Sequence, residues 1–113
     1  MKGNGMEKHI ERYSLQQNGP TWLVLDRETG RTVERADSVA WANAWRNGAN
    51  FADLVGGGLL ELVAENGTAC VRRKRGHETI LYNPDVHLAR AYVLGSRHVL
   101  AMKHGGQLEN ETE

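Results

Sequence analysis

Apolar and polar positions along the chain alternate in two stretches and follow a helical period in two others. Tyr13 and Leu15 alternate with polar residues up to Asn18-Gly19-Pro20, a turn cluster. Pro20 has no N–H to donate, so the loop takes it in and the next strand starts at Thr21, carrying Trp22, Leu23, Val24 and Leu25 to Asp26. Arg27-Glu28-Thr29-Gly30 turns the chain into a third strand, Arg31 to Ala36. These turns set Leu15 opposite Trp22, Tyr13 opposite Val24 and Val24 opposite Val33, all on one face.

The period then changes. Asp37 or Ser38 caps a helix that runs to about Asn47 and ends at Gly48, with one further turn available from Phe51 to Val55. Trp41 and Trp45, four apart, stack on one side; Asn43, Arg46 and Asn47 lie opposite. Gly56-Gly57-Gly58 is a joint and lacks the Gly-Lys-Ser/Thr ending of a phosphate loop.

A second meander follows. Leu59 to Glu65 and Thr68 to Arg73 flank Asn66-Gly67, a type I′ hairpin signal, and a third strand ends at Tyr82. Its register predicts one apolar face of Leu60, Leu62, Ala64, Ala69, Val71, Ile80 and Tyr82, with Val71 opposite Ile80 and Ala69 opposite Tyr82. Arg72 falls opposite Glu61 and Arg73 opposite Glu78, which leaves Lys74 and Arg75 at the hairpin tip. Cys70 faces Val63 and Leu81 as a buried thiol. Two meanders hint at a duplicated half, but the two sequences share too little to establish a repeat.

The last periodic segment, residues 84–104, reads as a helix capped by Asn83, with Pro84 and Asp85 in its first turn. His87, Arg90, Arg97, His98 and His104 form a basic stripe beside a wide apolar arc. A Gly95-Ser96 hairpin is the alternative, but it mixes both faces, whereas the helix sorts them at the cost of a kink or break at Gly95.

Net charge is zero, yet residues 1–70 sum to −2, residues 71–104 to +5 and residues 105–113 to −3. The positive third suits an anionic partner, while overall neutrality is a poor footprint for nucleic acid. Hydrophobic residues at 40% and charged residues at 25% are ordinary for a globular domain, and no apolar run reaches membrane length. Domain organisation reads as a disordered start (1–8), one α+β domain (9–104) and a disordered acidic tail (105–113) that folds back over the basic stripe or simply stays solvated. A single cysteine and a polar start without an apolar leader point to the cytoplasm, where the two glycosylation tripeptides carry no meaning.

Chemistry is scarce. No serine stands in a Gly-x-Ser-x-Gly turn, and Asp26, Glu28, Glu34 and Asp37 fall on an exposed turn and a helix cap, where solvation leaves them untuned. No two histidines of the stripe stand three or four apart, so neither a metal nor a cofactor is expected.

The reading is an α+β fold of two three-stranded antiparallel meanders and two helices, as separate sheets or one continuous, barrel-like sheet. Its expected role is a non-enzymatic regulatory module, an inhibitor or adaptor, that binds a protein partner and forms a homodimer through uncovered apolar surface. Candidate contacts are Arg90, Arg97, His98, Lys74, Arg75, Trp41 and Trp45, the tryptophans reading first as core and second as interface anchors. Nucleic-acid binding through the same basic groups is the alternative, and an enzyme with a fold-assembled site comes third.

Overall fold

The computed structural model describes residues 11–56 and 58–103. The proposed disordered segments 1–8 and 105–113, and His104, lie outside the described residues. Strands β1 (Tyr13–Asn18), β2 (Thr21–Asp26) and β3 (Arg31–Ala36) form one antiparallel sheet, followed by helix α1 (Val39–Leu54). Strands β4 (Leu60–Glu65), β5 (Thr68–Arg73) and β6 (Thr79–Asn83) form a second, followed by helix α2 (Val86–Lys103). The fold is therefore α+β, and the two sheets do not close into a barrel. Each helix packs on its own sheet, and the helices pack on each other.

Both meanders carry irregularities that alter the expected registers. The β1–β2 connection is only Gly19-Pro20, with Asn18 paired to Thr21 and Gly19 at the positive φ that a type II′ hairpin needs. Leu15 consequently faces Val24, and Gln17 faces Trp22, two residues away from the expected pairing. A bulge between Val24 and Leu25 sets Val24 against Glu34 instead of Val33. In the second sheet Leu62–Val71 and Ala64–Ala69 pair as expected, but a bulge after Val71 brings it opposite Leu81, with Ala69 opposite Asn83 and Cys70 opposite Tyr82. Tyr82 is thereby turned out to solvent and Ala64 is exposed, so neither belongs to the apolar face.

The two units repeat one another. Adding 47 to a residue number carries Tyr13–Asn18 onto Leu60–Glu65, Thr21–Asp26 onto Thr68–Arg73, and Val39 onto Val86. The bulge after Val24 falls on the bulge after Val71. Gly30, at φ 77°, falls on His77, at φ 61°. The bond from Arg27 N–H to the Arg12 carbonyl falls on that from Lys74 to Leu59. Ser38 accepts from the Trp41 N–H at the start of α1, and Asp85 accepts from His87 and Leu88 at the start of α2, after Asn83 has accepted from Asp85. Side-chain identity survives at packed positions, Val24/Val71, Ala42/Ala89, Ala44/Ala91 and Gly48/Gly95, and also at exposed ones such as Thr32/Thr79 and Val39/Val86. A repeat that the sequences alone could not establish is explicit in the backbone.

Gly48 and Gly95 hold the units together. A Cβ on Gly48 would collide with the Tyr92 carbonyl, and one on Gly95 with the Trp45 carbonyl. Both glycines are buried inside continuous helices, so Gly48 does not end α1 and Gly95 does not break α2. Each lets its helix approach the other's backbone. Around the crossing, Ala42, Ala49, Ala91 and Val99 have no exposed surface. Tyr13, Val24 and Trp45 continue this core into the first sheet; Leu60, Val71 and Val93 form the core of the second. Fully buried valines such as Val24, Val71 and Val99 contribute about 1.5–3 kcal/mol each.

Candidate interaction surface

Alanine, valine and leucine on one side of α2 turn its other side outward. Ala89, Ala91, Val93, Val99 and Leu100 are buried, while His87, Arg90, Leu94 and Arg97 are exposed at spacings of three and four residues along the outer face. Arg90 and Arg97 have no carboxylate partner among the described residues. Other cations are engaged: Arg72 meets Glu61 at 2.6 Å, Arg73 meets Glu78 at 2.8 Å, and Lys103 meets Asp53 at 3.8 Å. Both cross-strand pairs expected at Arg72 and Arg73 are present, and Arg73 also lies over the Phe51 ring. Lys74 and Arg75 are exposed on the β5–β6 turn, away from the helical strip in the chain.

His98 is not part of the strip. Its ring lies 5.2 Å from Trp45 and 6.4 Å from Tyr13, and its Nε2 is buried without a hydrogen-bond partner. The helical wheel puts it at the edge of the basic stripe, and packing against the other unit draws it inward. Burial holds its pKa below the ordinary value of 6.5, ahead of the opposing influence of the Asp26 carboxylate. The unfolded chain therefore binds a proton there more readily than the folded one. Stability from this site is complete above about pH 6.5 and is lost as pH falls from there toward the lower folded-state value. Replacing His98 with leucine should flatten the dependence of Tm on pH between about pH 7 and 5. An unchanged slope would show that other groups set it.

Trp45 is 4% exposed and meets Tyr13 edge-on, which makes it a core residue. Trp41 is half-buried against the same core.

A buried polar cluster escaped the pattern of the sequence. Asp26 is 1% exposed, not solvated as its place beside a turn suggested. Arg12 grips it with two bonds of 2.9 Å, and the Glu28 N–H donates to the same carboxylate at 3.0 Å. Arg12 also reaches Glu28 at 3.4 Å and Asp53 at 3.6 Å. The hydrogen bonds from Arg12 hold the Asp26 carboxyl below the usual carboxylate range against the opposing pull of burial. Asn50 closes the edge of β1 from α1, accepting from the Tyr13 N–H at 2.9 Å and donating to the Tyr13 carbonyl at 3.0 Å. Burial pushes the Tyr13 hydroxyl up to about 12. These groups brace the first unit. The only available signal was the placement of Arg12 just before β1, which becomes informative once the β1–β2 register is known.

Cys70 is buried with the Thr79 hydroxyl 3.8 Å from its sulfur, a weak contact that supplies no activating base. Among the described residues no group of three His, Cys, Asp or Glu side chains is placed to hold a metal ion, and no helix is long and apolar enough to cross a membrane. Comparison with protein families, curated proteins and solved structures found no match.

Proposed function

We propose that this chain is a small non-enzymatic binding module, working in the cytoplasm, that engages an acidic surface of a protein partner through the outer strip of α2. The carrying observation is the composition of that strip: two arginines without carboxylate partners among the described residues, with Leu94 exposed between them. Arg90 and Arg97 are two turns apart, about 10 Å along the axis, a spacing that suits carboxylates two turns apart on a facing helix. Leu94 favours protein over nucleic acid. At 42% exposed it can bury apolar area against a partner side chain, and it gains little from a phosphate backbone. Nucleic-acid binding through the same arginines is the second reading, supported by the excess of Lys/Arg over Asp/Glu in residues 71–104.

Fluorescence anisotropy tests the two readings. The probes are a labelled helical peptide, bearing glutamates two turns apart with a leucine between them, and a short duplex DNA. Peptide binding should fall at least tenfold in Arg90→Glu/Arg97→Glu and several-fold in Leu94→Ala. Duplex binding that exceeds peptide binding, collapses between about 50 and 200 mM salt and ignores Leu94→Ala would replace the protein reading with the nucleic-acid one. Failure of both probes would count against the strip.

A further inference from the structure

On the opposite side of α2 from the basic strip, a groove of about 230 Å³ opens between the two units. Asn43 and Asn47 of α1 line one wall; Leu81 and Asn83 of β6 and Leu88 and Tyr92 of α2 line the other. The orientation of all three asparagines is fixed by donors that can only donate. Arg46 donates from Nη2 to the side-chain oxygens of Asn43 and, at 3.3 Å, of Asn47. The Asp85 N–H donates to the side-chain oxygen of Asn83 at 2.8 Å. Guanidinium and backbone N–H groups cannot accept, so these amides cannot be flipped without losing their bonds. Each oxygen accepts one such bond, and none of the three side-chain NH₂ groups has a partner among the described residues. The residues that line the groove thus include three asparagines with unpartnered NH₂ groups, Tyr92, and no carboxylate.

Arg46 adds charge behind them. It is half-buried, no carboxylate pairs with it among the described residues, and its Nε is buried without a partner. A partly desolvated guanidinium that meets only amide oxygens leaves its positive charge uncompensated. An anionic acceptor suits such a site best, because it meets the NH₂ donors and the uncompensated charge together, whereas a hydroxyl or amide meets only the donors. Leu81 and Leu88 supply an apolar wall. The volume is below the usual range for drug-sized ligands and suits an acid of a few heavy atoms.

We propose that this groove binds a small carboxylate with a short aliphatic body, the carboxylate on the asparagine NH₂ groups and the body against the leucines. The site is independent of the α2 strip, so either assignment stands if the other fails.

Titration of ¹⁵N-labelled protein with butyrate tests it at constant ionic strength, with 1-butanol and inorganic phosphate as comparisons. Butyrate should shift the side-chain NH₂ signals of Asn43, Asn47 and Asn83 with affinity in the millimolar range, as expected for so few atoms. Asn47→Asp keeps an oxygen for Arg46 while replacing the donor with a negative charge, so it should retain Tm and weaken butyrate at least tenfold. Gln16→Glu, the same charge change at an exposed position of β1, should leave binding intact. The proposal is overturned if butyrate leaves these signals unmoved, if butanol or phosphate moves them with equal affinity, or if Asn47→Asp and Gln16→Glu act alike.

Discussion

Gly95→Ala is expected to destabilise this protein by about 3 kcal/mol, the upper part of the range for overpacked sites, and to lower Tm by roughly 10–20 °C. The sign is informative. Inside an ordinary helix the same substitution stabilises by about 1 kcal/mol, because alanine is the better helix former. Here the added Cβ meets the Trp45 carbonyl, a backbone atom that cannot rotate away, and the helices must separate. Gly48→Ala should act in the same direction through the Tyr92 carbonyl. The double variant should cost less than the sum, since both glycines serve one crossing and the first substitution has already opened it. Thermal unfolding followed by circular dichroism reads all three. A gain in Tm for Gly95→Ala would mean that the helices do not approach at this point.

Asp26→Ala is the second large expected loss, about 3 kcal/mol, the lower end of the cost of breaking a buried ion pair. It removes both 2.9 Å bonds to Arg12 and strands the Glu28 N–H, while Glu28 and Asp53 still offer Arg12 partial compensation. Asp26→Asn keeps the shape and should lose less. Because Arg12 lowers the folded-state pKa of Asp26, the pair's contribution is complete above the unfolded carboxylate value of about 3.8 and disappears as pH falls through the folded value. The wild type should therefore lose more stability than Asp26→Asn when both are acidified below about pH 4. Parallel acid titrations of the two proteins would remove the pair from the account.

Local signals in the sequence carried much of this fold. The positive-φ turns at Gly30 and Asn66-Gly67, the cap at Ser38 and the alternation of each meander point directly to the strands and helices that form. Bulges did not announce themselves. An extra residue in β3 or β6 depends on how the neighbouring strand twists, and nothing in the alternation of either strand records it. The glycines misled for a related reason. Gly48 looks like a helix end and Gly95 like a break until the other helix is in place, and those contacts, Gly48 to Tyr92 and Gly95 to Trp45, join residues far apart in the chain. The repeat was hidden because it conserves backbone conformation more than side-chain identity: His77 takes the place of Gly30, and Tyr92 that of Trp45.

Surface residues were partly legible. Arg90 and Arg97 face outward as the helical wheel places them, because exposure at the middle of a polar face needs only the correct period. His98 stood at the edge of that face, where the packing partner decides, and Trp45 took it inward. Asp26 looked solvated because the residue that pairs with it, Arg12, lies just before β1, 14 residues away in the chain. The asparagine groove needed coordinates altogether, since its walls come from α1, β6 and α2 and its chemistry depends on which amide atom Arg46 holds.

Both binding surfaces depend on the two βββα units forming one body: the groove opens only between them, and the α2 strip faces outward only while the other side of α2 is covered. Equilibrium urea unfolding tests this with two probes. Trp22, Trp41 and Trp45 all belong to the first unit, so tryptophan fluorescence follows that unit, while far-ultraviolet circular dichroism follows the strands and helices of both. Joined at Gly48 and Gly95, the units should unfold together, with coincident midpoints and slopes by the two signals. A circular-dichroism transition in two steps, or one displaced from the fluorescence transition, would show two units that fold apart and would contradict the account.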